Sequence, residues 1–137
     1  MPKPKKTGSK SVAVKPADTA IFVVDDEPMM GEVVEAILQL EGYQTKVFSD
    51  PEAALQVLQE TRHRPRLLLT DFVMPAMNGM ELIEQAKKIQ PDLKTILFSG
   101  NFGQDIMRYY PVKPDKFISK PFQPKALMAL IKAVLAE

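Results

Sequence analysis

The stretch Leu67-Leu68-Leu69-Thr70-Asp71-Phe72-Val73-Met74-Pro75-Ala76-Met77-Asn78-Gly79 decides how the rest of the chain is read. Leu67 to Leu69 make a short apolar run, as a strand covered on both faces requires, and after Thr70 the acid Asp71 stops it. Met74-Pro75 and Asn78-Gly79 behind the acid form loops readily, so the run delivers a carboxylate to the rim of a sheet. An acid also ends strands merely by capping the next turn, so the meaning of Asp71 depends on what else arrives beside it.

Outward from that stretch the chain alternates two signals. Residues 20–24 are apolar and β-branched, and they stop at Asp25-Asp26-Glu27. Pro28 suits a first helical turn, and Val33, Val34, Ile37, Leu38 and Glu41 continue the helix to Gly42. Residues 43–48 read as a second strand. Asp50-Pro51 then reads as a cap and first-turn proline of a helix reaching about Arg62. Beyond Gly79, residues 80–90 predict a helix with Leu82, Ile83, Ala86 and Ile89 on one face, ended by Pro91. Residues 95–98 are a fourth strand, closed by Ser99-Gly100. Between 101 and 115, Gly103, Pro111 and Pro114 leave room only for a short helix around Gln104 to Tyr109. Residues 116–119 form a fifth strand that reaches Lys120-Pro121-Phe122, and residues 124–136 form a closing helix with Leu127, Leu130, Ile131, Val134 and Leu135 on one face.

Five short strands alternating with helical segments call for an α/β fold, a five-stranded parallel sheet with helices on both faces, and the order 2-1-3-4-5 is its common small version. Ligands of such sheets bind at the carboxyl ends of the strands, in the crevice between strands 1 and 3 where the order reverses.

Size and composition bound the function. The chain has 137 residues, 45% of them apolar, which fills a single core and leaves no room for a second output domain, so no DNA-binding domain is expected. The 18 basic and 17 acidic residues nearly cancel, so bulk charge selects no partner. With no cysteine, thiolate zinc sites, disulfides and thiol catalysis are excluded together, which fits a reducing compartment. Apolar runs are far too short for a membrane segment, and the lysines of residues 1–18 are not followed by the apolar core of a signal peptide, so a cytoplasmic protein is expected. Residues 1–18 carry Lys3, Lys5, Lys6, Lys10 and Lys15, three prolines and no acid before Asp18. That composition predicts a disordered basic tail, a solvated segment or an electrostatic tether, ahead of a folded domain over 19–137.

Strand 1 ends in Asp25-Asp26, strand 3 in Asp71, strand 4 in Ser99 and strand 5 in Lys120, so four neighbouring strands bring functional groups to one rim. With Val23-Val24-Asp25-Asp26-Glu27-Pro28, Asp71 followed by Met74-Pro75 and Asn78-Gly79, Ser99-Gly100 and Lys120-Pro121-Phe122, residues 20–136 resemble the receiver domain of a two-component response regulator. The resemblance implies a flavodoxin-like, doubly wound fold, and it implies that Asp71 accepts a phosphoryl group from a histidine kinase or histidine phosphotransfer protein with bound magnesium, or manganese. It also implies a cis bond between Lys120 and Pro121.

The chemistry of the residues agrees with what the resemblance implies. Carboxylates about 5 Å apart repel by about 3 kcal/mol per pair at an effective dielectric near 20, so something positive must sit among them. Asp26, Asp71 and the Val73 backbone carbonyl would form an oxygen set for the metal, with Asp25 direct or through water. Lys120 would neutralise one phosphoryl oxygen and the Ser99 hydroxyl would bond another. Ser99 and Phe117 would supply the switch: movement of Ser99 toward the phosphoryl group empties space that an aromatic ring can fill. The family often has tyrosine where this chain has Phe117. Hydrolysis needs an aligned water, and the side chains at that place are Val73 and Asn101, of which only Asn101 can hold one.

The chain departs from the family at Tyr109-Tyr110-Pro111-Val112-Lys113-Pro114-Asp115, where small residues are usual, a departure that bears on the family's usual dimer and partner face and leaves the acidic site untouched. His63, the single histidine, sits among Arg62, Arg64 and Pro65 in a loop and reads as surface. The expected partners are a histidine kinase or phosphotransfer protein and an unknown downstream protein, with the chain a monomer or weak dimer. Rival readings are an aspartate-dependent phosphatase, a phosphate-independent interaction module, and a receiver cut from a longer regulator or hybrid kinase. The phosphatase would need a second acid where Val73 stands.

Overall fold

The computed structural model describes residues 19–60, 64–100 and 108–137. Five parallel strands, β1 (Ala20–Val24), β2 (Gln44–Phe48), β3 (Leu67–Asp71), β4 (Lys94–Ser99) and β5 (Lys116–Ser119), lie in the order β2-β1-β3-β4-β5, as expected. The helices among the described residues are α1 (Pro28–Leu40), α2 (Pro51–Glu60), α3 (Gly79–Ile89) and α4 (Pro124–Leu135). Three of them begin on a proline, whose fixed φ suits a first turn and whose missing N–H has no partner to lose there.

Side chains on alternate strand positions divide the core. Ile21, Val23, Leu67, Leu69, Ile96 and Phe98 meet Val34 and Leu38 of α1 and Leu127, Ile131 and Val134 of α4. Phe22, Val24, Leu68 and Leu97 face the other way, onto Ala54 and Leu58 of α2 and Leu82, Ile83 and Ala86 of α3. The central strands are apolar on both faces because both faces are covered. Edge strand β2 is only half-buried, which is why it reads Gln44-Thr45-Lys46 and not as a continuous apolar run.

Several boundaries differ from the sequence reading. β2 begins at Gln44, because Tyr43 is still held by α1, its N–H donating to the Leu38 carbonyl at 3.2 Å. α3 begins one residue early, at Gly79, and ends at Ile89, because Asn78 caps its start and Gln90 is already extended. α1 ends at Leu40, and Gly42 turns the chain with φ 88°. The described part of α2 stops at Glu60, with Arg62 and His63 outside the described residues. So is most of the short helix expected between β4 and β5; Arg108 and Tyr109, at its end, form a 3₁₀ turn. Of the methionines, Met74, Met80 and Met128 are buried, whereas Met29 is 79% exposed.

Candidate functional site

Parallel register brings the strand ends to one rim. Val24 of β1 pairs with Thr70 of β3, so Asp25 and Asp71 emerge side by side, and Asp71 pairs with Phe98 of β4, one residue short of Ser99. Ser99 in turn pairs with Ser119 of β5, and the Lys120 N–H donates to the Ser99 carbonyl at 2.7 Å. The lysine therefore turns over the acids just as the sheet ends.

Its ammonium lies 3.1 Å from Asp71 Oδ1 and 3.4 Å from Asp25 Oδ2, bridging the two carboxylates. It also sits 5.9 Å from the centre of the Phe98 ring, which stacks on Phe122 at 5.3 Å. The peptide bond between Lys120 and Pro121 is cis, as expected. Burial alone would lower the Lys120 ammonium, but the carboxylates of Asp25 and then Asp71 outweigh it and hold it above its ordinary value. Burial pushes the Asp25 carboxyl up, and Asp71 adds to this, while the Glu27 N–H and the Lys120 ammonium pull the other way. Asp25 is fixed by that N–H, which donates to its Oδ1 at 2.9 Å.

Asp25, Asp26 and Asp71 each place a carboxylate oxygen within 4.8 Å of the others. Oxygens around one magnesium ion lie about 3 to 4 Å apart, so small side-chain movements would bring the three onto a common cation. The cluster holds three carboxylates, of which Asp25 and Asp71 share the Lys120 ammonium, and the remaining negative charge suits a divalent ion. Burial is graded across the set, with Asp25 buried, Asp71 half-buried and Asp26 exposed, which leaves one side of the site open to solvent.

The loop behind Asp71 is tied tightly. The Phe72 N–H donates to Asp71 Oδ1 at 3.0 Å, and the Gly79 N–H donates to the Phe72 carbonyl at 2.8 Å. Asn78 closes a capping box, its Oδ1 accepting from the Glu81 N–H and its own N–H donating to Glu81 Oε1, each at 2.9 Å. Ala76 takes a positive φ of 71°, where a glycine would sit more easily. Val73, 57% exposed, projects from this loop.

Of the remaining residues singled out in the sequence, Ser99 is buried at the rim, and Phe117 packs half-buried against the α2 and α3 side of the core, beside Leu97 in register. Asn101, expected to hold a water, lies outside the described residues. Two residues that the sequence gave no chemical role are joined behind the site: Asn78, in the loop after Asp71, donates through Nδ2 to the Tyr110 hydroxyl at 2.9 Å. The spacing of Asn78 to Glu81 is a capping-box signature that marks the first of them. No local pattern marks the second.

Comparison with known proteins agrees with this geometry. The family model described as response regulator receiver domain matches residues 21–132. The chain is 32% identical over 115 residues to the DNA-binding response regulator MtrA of Mycolicibacterium smegmatis, covering 84% of this chain and 50% of that one. It is 30% identical over 118 residues to the phosphate regulon transcriptional regulatory protein PhoB of Pseudomonas aeruginosa, covering 84% and 51%. The chain thus spans about half the length of the curated relatives it matches. Among solved structures, a CheY-like receiver domain protein of Methanospirillum hungatei superposes with a TM-score of 0.80 at 28% identity, covering 86% and 94% of the two chains. The receiver domain of a signal transduction histidine kinase from Syntrophus aciditrophicus gives 0.75 at 33% identity, covering 86% and 90%. Among the described residues no helix is long and apolar enough to cross a membrane.

Proposed function

The chain belongs to the response regulator receiver domain family, and from that premise we propose that it takes a phosphoryl group from a phosphohistidine onto Asp71 and signals through the change this makes at the rim. The observation that carries the reading is the Lys120 ammonium bridging Asp71 and Asp25 inside a cluster of three carboxylates. In the transfer a carboxylate oxygen of Asp71 bonds to phosphorus as the bond from phosphorus to the imidazole nitrogen breaks, and the imidazole leaves with the electron pair. An acyl phosphate remains on Asp71.

Asp25, Asp26, Asp71 and the Val73 carbonyl would hold magnesium, which supplies charge neutralisation for the phosphoryl oxygens when bound. Lys120 meets another of those oxygens as its hold on Asp71 loosens, and the Ser99 hydroxyl meets a third. Phe117, beside Leu97, would follow Ser99 inward as the switch. The transfer is then self-catalysed by these groups, since the donor contributes only the phosphoryl group and a leaving imidazole, and self-catalysed hydrolysis would need an attacking water besides. A donor without a protein surface would then suffice.

A protein donor would gain its hold beside the acids. Met29, Val33, Ala36 and Leu40 recur at intervals of four, three and four on the outer side of α1, and Met29, Val33 and Leu40 are 79%, 50% and 86% exposed. Such spacing fits a helix laid along α1. The stripe is flanked by Glu32 and Glu35 and the helix has no basic residue, so it favours a basic partner over a second copy of itself. A cytoplasmic location fits these partners. A downstream protein would be met by the switched state.

The test is an intact-mass measurement after incubation with acetyl phosphate and magnesium. One phosphoryl adduct is expected, abolished by chelator and by Asp71→Asn. An adduct formed at full yield on the Asp71→Asn chain would remove Asp71 from the role.

A further inference from the structure

Tyr110 belongs to the segment between β4 and β5, outside the acidic rim, yet it is held at both ends. Its carbonyl accepts from the Lys113 ammonium, and its ring packs half-buried on the α2 and α3 side of the core with Val112 and Phe117. Its hydroxyl accepts from Asn78 Nδ2 at 2.9 Å, across 32 positions of sequence. Asn78 uses its other amide atom to cap α3, so one side chain joins the loop behind Asp71, the first turn of α3 and the segment before β5. The next residue, Gly79, is so close to that strand end that a Cβ there would lie 2.2 Å from the Asp71 carbonyl oxygen. A shift of Asn78 is therefore a shift of the backbone that carries Asp71 and Val73.

We propose that Tyr110 is a positioning residue for the acceptor loop: by holding Asn78 it keeps Asp71 and the Val73 carbonyl in the arrangement that binds a divalent cation. The inference rests on the reading of this loop as the metal-binding phosphoacceptor. Its consequence is reciprocal, because coupling free energies act both ways. Metal at the acids steadies the segment around Tyr109 and Tyr110, and a partner that draws this segment away weakens the metal site. Tyr109, 79% exposed beside Tyr110, offers such a partner a handle.

The experiment is a calorimetric titration of the metal-free full chain with magnesium chloride, in the parent, Tyr110→Phe, Asn78→Ser and the double variant. Tyr110→Phe keeps the ring and loses only the hydroxyl. Asn78→Ser keeps a capping oxygen and loses the amide donor. Each is expected to weaken magnesium binding about two- to ten-fold, the worth of one partly buried hydrogen bond. The double variant is expected to be no weaker than Asn78→Ser alone, because the hydroxyl acts through that amide. Unchanged magnesium affinity in Tyr110→Phe, with only the unfolding midpoint of the metal-free protein lowered, would make the bond a stability contact and overturn the proposal. Independent, additive losses would overturn the route through Asn78. A parent that binds magnesium but takes no phosphoryl group would defeat the reading of Asp71 alone, and the affinity comparison would still decide Tyr110. A parent that binds no magnesium would defeat both.

Discussion

Replacing Gly79 by alanine sets two local effects against each other. Helix propensity favours alanine over glycine by up to about 1 kcal/mol, and Gly79 opens α3. Against this, the added Cβ would lie 2.2 Å from the Asp71 carbonyl oxygen and 2.7 Å from Leu97 Cδ1. The oxygen belongs to the end of β3 and cannot swing aside as a side-chain tip would, so in a close-packed site the loop or the strand end must move by about 1 Å. Overpacking of this kind costs about 1–3 kcal/mol, which against the full propensity gain leaves a net loss of about 0–2 kcal/mol. The same displacement would shift the Asp71 carboxylate relative to Lys120 and the other acids. Urea unfolding with and without magnesium reads both consequences. The control is Gly100→Ala, whose Cβ would meet nothing within 4 Å, and it should stay within about 0.5 kcal/mol of the parent. If Gly79→Ala matches Gly100→Ala in stability and in magnesium affinity, the close approach to Asp71 carries no weight and the reasoning fails.

Val73→Asn and Val73→Glu, at a residue 57% exposed, should leave folding intact and change the rate of phosphoryl loss by about 1–2 kcal/mol of barrier, because each supplies a hydrogen bond to the attacking water that valine cannot. Equal decay in parent and variants, followed by intact mass after donor removal, would rule out a gating role for Val73. Leu40→Glu, at 86% exposure, should slow transfer from a phosphohistidine protein while leaving acetyl phosphate labelling unchanged; equal slowing of both would point to damage at the acids and not to lost docking. Because burial raises the Asp25 carboxyl, the native state holds its proton harder than the unfolded chain does. In metal-free protein its contribution to stability is therefore fullest below the ordinary aspartate value and is lost as pH rises through the raised one, and Asp25→Asn should flatten that part of a pH series of unfolding midpoints. Magnesium affinity should fall as pH drops through the same raised value, and an affinity independent of pH there would separate Asp25 from the metal.

The sequence by itself determined the sheet and its rim. Apolar runs such as Leu67 to Leu69, prolines at the first turns of α1, α2 and α4, and acids where the runs stop are local signals, each set by covering of a strand, a fixed φ or the end of a ladder. Once strands are short, parallel and alternate with helices, Asp25, Asp71, Ser99 and Lys120 must meet at one edge, and the motifs carried the family with them. Boundaries moved by a residue where capping decided them, as at Asn78 and Gly79. What only the tertiary structure decided is how groups far apart in sequence share single contacts. Lys120 bridges two carboxylates supplied by different strands, 3.1 and 3.4 Å away. Asp115 accepts from the Thr95 N–H at 2.8 Å and from Lys87 at 3.3 Å, tying β5 to β4 and α3, and Asn78 reaches Tyr110. The outer stripe of α1 hid among residues equally apolar on the inner side, because periodicity records that a face is apolar without recording whether the fold covers it. Pairings of this kind depend on register and on the path of a connection, which no window of local sequence contains.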